Sequence, residues 1–128
     1  MKPDNLTTSL SLSRELKEAK VPQVSTFYWH LDGNDEWELV MKDDVAPQVM
    51  KYCISGFLAE EIGRWLPYDI PNEIPNSWVV GRDERYFCAY ETVDKELHAE
   101  YGDTMAECMG KMLLYLLRQG LLSVKDLK

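Results

Sequence analysis

Residues 26–41 read Thr26-Phe-Tyr-Trp-His-Leu-Asp-Gly-Asn-Asp-Glu-Trp-Glu-Leu-Val-Met41, and this stretch decides the fold class. Its first six residues are rich in aromatic side chains, which favour a strand. The Asp-Gly-Asn-Asp sequence that follows is typical of a turn, because these residues adopt unusual backbone angles at little cost. Residues 37–41 then form a second strand. The stretch therefore predicts an antiparallel β-hairpin with a slightly long loop.

A second hairpin is predicted farther along the chain. Residues 78–81 and 86–92 have the composition of strands, and they turn at Arg82-Asp83-Glu84. Residues 96–101 alternate apolar and polar side chains with the period of a strand. We therefore expect this segment to add a further strand to the second hairpin.

The first and last of three predicted helices have clear boundaries. The first is capped by Ser9 or Ser11 and stops before Pro22. The last begins at Thr104, and Gly120 lies where a left-handed C-terminal cap is expected. The last helix has a Met-rich apolar face. This face packs either inside the chain or across a homodimer, and the sequence leaves both open.

The region between the hairpins contains a second helix with less distinct ends. We expect Ser55 to cap it and the helix to continue to about Leu66, with Glu60 and Glu61 facing water. Residues 48–52, just before it, fit a strand or a short helical turn equally well.

The resulting order, α-ββ-α-ββ(β)-α, predicts an α+β fold. We expect a two-layer sandwich in which the two hairpins form an antiparallel sheet and three helices cover one face. The length of 128 residues indicates a single domain spanning residues 1–128, because two cores of half that size would be too small. Residues 1–8 are polar and are predicted to be flexible.

Composition excludes several classes of function. The chain has 22 acidic and 14 basic side chains and a net charge of −8, without the basic patch that direct nucleic-acid binding requires. No apolar run is long enough to span a membrane, and the first residues lack a signal-peptide core. Three widely spaced cysteines, Cys53, Cys88 and Cys108, indicate buried free thiols in a reducing cytoplasm.

The sequence contains no recognisable catalytic motif. A nucleophile elbow, a Walker loop and a Gly-x-Gly-x-x-Gly loop are all missing. The best metal candidate is Glu96, His98 and Glu100, because alternate residues of a strand share one side. A solvated strand face has the same pattern far more often. We therefore predict no metal, no cofactor and no enzymatic activity.

The aromatic side chains suggest a contact surface for another protein. A strand buries only alternate residues, so at least one of Phe27, Tyr28 and Trp29 is expected to face outward. Aromatic residues at a surface are typical of protein interfaces. The predicted interface residues are Tyr28, Trp29, Trp37 and Trp78. The leading hypothesis is a non-enzymatic binding or accessory protein with an unknown protein partner.

The alternative hypothesis is an acidic DNA mimic that inhibits a nucleic-acid-binding protein of the host. Acidic residues are dense between Asp83 and Glu107. Mimicry would need carboxylates held on one face, and the candidates are Glu96, Glu100 and Glu107. A small metal-dependent enzyme that uses His98 is the third possibility.

Three segments carry a resemblance to other proteins. They are Leu16-Lys17 with Val21-Pro22-Gln23-x-Ser25-x-Phe27-Tyr28-Trp29, then Ala59-Glu-Glu-Ile-Gly-Arg-Trp-Leu-Pro67, and Thr104-Met-Ala-Glu-Cys-Met-Gly-Lys-Met-Leu-Leu-Tyr115 with Gly120-Leu121-Leu122. In these segments the chain resembles a group of small phage- and prophage-encoded bacterial proteins with no assigned function. The resemblance implies a phage-related origin and a location in the bacterial host cytoplasm. It implies no mechanism.

Overall fold

The computed structural model describes residues 6–70 and 74–127, and within them it shows an α+β fold. The helices are α1 (Leu10–Glu18), α2 (Ala59–Gly63) and α3 (Met105–Arg118). The strands are β1 (Phe27–Leu31), β2 (Trp37–Met41), β3 (Ile54–Gly56), β4 (Ser77–Arg82), β5 (Tyr86–Glu91) and β6 (Glu96–Gly102). Short 3-10 helices cover Lys42–Asp44, Pro47–Tyr52 and Val124–Asp126. The predicted fold class is confirmed, and so is the order of helices and hairpins.

The strands form two antiparallel sheets, whereas the sequence predicts one. The first sheet has the order β2-β1-β3, and the second has the order β4-β5-β6. Tyr28 of β1 lies opposite Val40 of β2 and Ser55 of β3. β3 therefore occupies the outer edge of β1, and no pairing joins the first hairpin to the second among the described residues.

The prediction that Ser55 caps the second helix is wrong. Ser55 lies in β3, and α2 begins only after Leu58. One carboxylate oxygen of Glu61 accepts a hydrogen bond from the Leu58 backbone N–H at 2.8 Å. The other accepts from the backbone N–H and the hydroxyl of Thr26 at 2.9 and 3.1 Å. Glu61 therefore does not face water as expected, but ties α2 to the residue that precedes β1.

The segment between β2 and β3 covers one face of the first sheet. Pro47–Tyr52 is a 3-10 helix, which resolves the alternative that the sequence left open. Val45 and Cys53 close over Tyr28 in a small apolar cluster. The Tyr28 hydroxyl donates a hydrogen bond to the backbone oxygen of Gln23 at 3.0 Å. This face of the sheet is therefore closed to solvent at Tyr28.

The main core surrounds α3, which packs against α1 and α2 on one side and against the second sheet on the other. Its fully buried members include Leu16, Phe57, Ile62, Tyr90 and Leu113. α3 packs chiefly on β5 and β6 and only lightly on β4.

The contact between α1 and α3 is close because α3 carries a glycine there. A side chain at Gly110 would collide with Leu12 and with Thr8. Met109 and Met112 of the Met-rich face of α3 are buried inside the chain.

The start of the described chain is packed, which corrects the expectation of flexibility for part of residues 1–8. Thr7 and Thr8 are buried. The Thr8 hydroxyl accepts a hydrogen bond from the Phe57 backbone N–H at 3.1 Å and lies 2.7 Å from the Ser13 hydroxyl. Residues 1–5 fall outside the described residues.

The predicted caps of the first and last helices are confirmed, and of the two serines proposed for the first helix it is Ser9 that caps it. The Ser9 hydroxyl accepts a hydrogen bond from the Leu12 backbone N–H at 3.2 Å. The Thr104 hydroxyl accepts one from the Glu107 backbone N–H at 3.1 Å. Gly120 has a φ of 71°, the left-handed conformation that ends α3.

Candidate functional site

An apolar groove opens between β4, α2 and the first turns of α3. β4 contributes Trp78 and Val80, α2 contributes Gly63, and α3 contributes Met105 and Met109. The volume of this part of the groove is about 640 Å³. Phe27 and Leu58 add to the lining, and Glu60 supplies a carboxylate there. We call this the apolar groove.

The groove exists because α3 is not centred over the second sheet. Alternation along β4 turns Trp78 and Val80 toward the helices, but α3 lies mainly over β5 and β6. The two side chains therefore extend beyond the cover of α3. Gly63 has no side chain to fill the space on the opposite wall. Met105, the first residue of α3, is 39% exposed in the middle of the opening.

A second cavity of about 630 Å³ continues the groove along β4. It shares Leu6, Ala59 and Met105 with the first cavity and adds Arg82 and Asp103. Arg82 lies two residues beyond Val80 on the same face of the strand. Its guanidinium stands over the Tyr86 ring, with the carbon 5.2 Å from the ring centroid. The groove therefore has Glu60 toward its Trp78 end and Arg82 at the other end.

One edge of β4 borders this groove without a neighbouring strand. Within residues 6–70 and 74–127, β4 pairs with β5 alone. In an antiparallel pair, alternate residues direct their N–H and C=O groups toward the partner, and the residues between them direct theirs away. The outer edge of β4 therefore presents a row of backbone donors and acceptors to solvent.

Of the four predicted interface residues, Trp78 lines the apolar groove. The prediction for Tyr28 is wrong, because this residue is 3% exposed under Val45 and Cys53. Strand alternation places Tyr28 on the opposite side of β1 from Phe27, and the segment between β2 and β3 covers that side.

Trp29 and Trp37 are half-buried, Trp29 against the segment before α1 and Trp37 against α1 itself. The indole N–H of Trp29 donates a hydrogen bond to the backbone oxygen of Thr8 at 3.2 Å. The Arg14 guanidinium stands over the Trp37 ring, with the carbon 5.2 Å from the ring centroid. The four aromatic residues therefore do not form one contact surface as predicted.

Sequence reasoning missed the other residues that line the groove, among them Phe27, Met105 and Met109. Phe27 belongs to the aromatic run already singled out, and the alternation rule requires it to point away from Tyr28. Met105 and Met109 belong to the apolar face of the last helix. No signal in that helix distinguishes the methionines over the groove from those in the core.

The predicted acidic face is not assembled. Glu96 is exposed, but Glu100 is only partly so and lies against His98, with 2.5 Å between Oε2 and Nε2. Glu107 is wrong as a member of this face, because its carboxylate accepts a hydrogen bond from the backbone N–H of Ser9. The free N–H groups at the start of α1 attract a carboxylate, and the first turn of α3 brings Glu107 to them.

The metal candidate is not assembled either. The His98 ring stacks on the Tyr115 ring, with 3.5 Å between the centroids. The register of β5 and β6 shifts between Tyr90 and Glu91, and this interrupts the alternation that the prediction assumed. Among the described residues, no group of three His, Cys, Asp or Glu side chains is placed to hold a metal ion.

The three cysteines are free and buried, as expected. Burial raises the pKa of Cys88 to about 12 and that of Cys108 to about 11. It also raises the pKa of Cys53. Catalytic cysteines need a lowered pKa, so these thiols lack the environment of a nucleophile.

In comparisons with protein-family models, curated proteins and solved structures, no match to the chain was found. Among the described residues, every helix is too short or too polar to span a lipid bilayer.

Proposed function

We propose that this chain is a non-enzymatic, protein-binding accessory protein, and that the apolar groove is where its partner docks. The observation that carries the proposal is the continuity of the groove along β4, with Met105 exposed at its centre. The cytoplasm of a bacterial host and a phage-type origin are part of the proposal. The resemblance and the free thiols support them.

The composition of the groove supports a protein partner. A contiguous apolar surface on a small protein is unfavourable in water unless something covers it. Trp78 and Met105 are of residue types enriched in protein interfaces. Methionine side chains also adapt to varied partners, because they are unbranched and polarisable.

The shape of the groove favours a chain segment over a small molecule. Small-molecule sites enclose most of the surface of their ligand. This groove is open to solvent, and it continues past Met105 to Arg82. A segment of another protein could follow this length, with its own fold covering the open side.

Selection of short random peptides displayed on phage, on the immobilised protein, tests this proposal. Peptides that bind in the groove should fail to bind Met105→Glu, which puts a charge in its centre. The added carboxylate lies in the first turn of α3, where negative charge favours the helix, so the variant should fold. The matched control is Val93→Glu, which adds the same charge at a fully exposed position outside the groove.

Enriched peptides that bind the control variant but not Met105→Glu would support the proposal. Failure to enrich any sequence above the starting library would contradict it. Equal binding of the enriched peptides to both variants would also contradict it, because the docking surface would then lie elsewhere.

A further inference from the structure

We propose that the partner segment binds as an extended strand added to the free edge of β4. Its alternate side chains would enter the apolar groove. This inference rests on the proposed function, since it specifies how a segment occupies the same groove. It identifies the partner by its chemistry: an extended, alternating segment with charged residues at both ends of the bound stretch.

The first step of the argument is the free edge. The outward N–H and C=O groups of β4 have no strand beside them within the described residues. An added strand would satisfy these groups in the way that β5 satisfies those on the other side. A helix lying against the same edge would cover the groups without pairing them, and unpaired buried polar groups are costly.

The second step is the coincidence of edge and groove. The residues of β4 that line the groove are Trp78, Val80 and Arg82, and they are spaced by two. A strand paired with β4 would turn every second side chain toward the same face of the extended sheet. Those side chains would meet Ala59 and Met105, while the intervening ones would remain in water.

The third step is charge. Glu60 is exposed near the Trp78 end of the groove, and Arg82 is exposed at the other end. Neither makes an ion pair with another described residue. All strand pairs described in this protein are antiparallel. An antiparallel segment would have an acidic side chain near its N-terminal end, beside Arg82, and a basic one near its C-terminal end, beside Glu60.

Backbone N-methylation tests the binding mode, with the tightest peptide from the selection described above as the probe. Methylation is applied to one amide at a time, and each methyl removes one N–H donor. If the peptide is a strand, affinity should fall about tenfold at every second amide and change little at the amides between. Hydrogen exchange of β4 in the complex gives a second readout, because its outward amides should slow at alternate residues.

The outcomes separate this inference from the proposed function. A groove-dependent peptide could lose affinity on N-methylation at positions that do not alternate, or at positions spaced as on one face of a helix. Either pattern would overturn strand addition and leave the docking proposal intact. Alternating losses together with alternating protection of β4 would support strand addition. If no groove-dependent peptide is found, both proposals fail.

The charge step has its own test. Glu60→Lys should lower the affinity for the probe about fivefold if the probe has a basic residue near its C-terminal end. Replacing that basic residue of the probe by an acidic one should restore affinity for the variant. The control is Glu18→Lys, the same change at an exposed position of α1 away from the groove. Equal weakening by both variants, or no weakening by Glu60→Lys, would overturn the assigned orientation.

Discussion

The two sheets each have three antiparallel strands, but they differ in what covers them. The first sheet has α1 against one face and the segment between β2 and β3 against the other. The second sheet has α3 over β5 and β6, while β4 extends beyond α3 with its edge unpaired. Tyr28 of the first sheet is thus buried inside the fold, whereas Phe27 lines the groove. Trp78 of the second sheet remains available for a partner.

The largest expected loss of stability comes from truncating a buried tyrosine, and each sheet offers one for comparison. Tyr90 lies in the main core, and its hydroxyl donates a hydrogen bond to the backbone oxygen of Pro67 at 2.6 Å. Tyr90→Ala should lower the free energy of unfolding by about 4 kcal/mol, because the surrounding helices and sheet cannot close the cavity. Urea unfolding followed by tryptophan fluorescence would measure the loss.

Tyr28→Ala is the matched change in the first sheet, and its expected cost is about 2 kcal/mol. The short 3-10 turns above Tyr28 can move inward and fill part of the space. Tyr90→Phe serves as a control that keeps the ring and removes only the hydrogen bond, at a cost of about 1 kcal/mol. An equal loss of unfolding free energy for Tyr28→Ala and Tyr90→Ala would contradict the expectation that the cover of Tyr28 relaxes more readily than the main core.

The next prediction compares the stability cost of removing each of two neighbouring glutamates in α2. Glu61 accepts hydrogen bonds from Leu58 and Thr26, whereas Glu60 is exposed beside the groove. Glu61→Ala should lower the free energy of unfolding by about 2 kcal/mol, because backbone donors lose a charged acceptor. Glu60→Ala should change it by less than about 0.5 kcal/mol. Similar losses at both positions would mean that Glu61 contributes only its charge near the helix start.

A smaller effect compares the closed α1–α3 contact with the open wall of the groove. A Cβ at Gly110 would lie 2.8 Å from a methyl carbon of Leu12 and 2.9 Å from one of Thr8. Gly110→Ala should therefore lower the free energy of unfolding by about 1 kcal/mol, after the gain in helix propensity is included. At Gly63 the nearest atom is the Met109 methyl at 3.4 Å, so Gly63→Ala should be neutral or slightly stabilising. Thermal unfolding of both variants measures the difference, and destabilisation of the two by the same amount would contradict it.

The elements that sequence predicted correctly are set by local chemistry. Asp32 fixes the first turn by accepting hydrogen bonds from the backbone N–H groups of Asn34 and Glu36 at 2.7 and 3.0 Å. Thr104 and Gly120 mark the ends of α3 through their own hydroxyl and backbone angle. Each of these signals operates within a few residues, so it can be read from the sequence.

The features that sequence missed depend on distant partners. The strand β3 has three residues and exists because β1 offers it an edge, so Ser55 looked like a helix cap instead. Glu107 has the spacing of a capping box, but its carboxylate bonds to Ser9 at the start of another helix. The groove is a further case, because it results from the position of α3 over β5 and β6. Of the four predicted interface residues, Trp78 alone lines the groove.

The last prediction concerns rates of thiol labelling, not stability. It compares how readily the small cluster around Tyr28 and the main core open to solvent. Cys53 belongs to the small cluster beneath the 3-10 turns, and Cys88 belongs to the main core. At neutral pH and without denaturant, a thiol reagent should modify Cys53 through local opening well before Cys88, since core groups exchange only on global unfolding. The raised pKa of Cys88, about 12, keeps this thiol protonated in the folded state.

The two cysteines should also differ in how their labelling rates depend on pH and on urea. A thiol whose pKa is raised by folding stabilises the native state below its unfolded pKa, near 9.0, and that stability is lost as pH rises toward the folded pKa. Labelling of Cys88 should therefore accelerate above pH 9, together with global unfolding, and should depend steeply on urea. Labelling of Cys53 should depend on urea only weakly, because little surface is exposed when its cover lifts. Equal urea dependence for the two cysteines would show that the first sheet and the main core open as one unit.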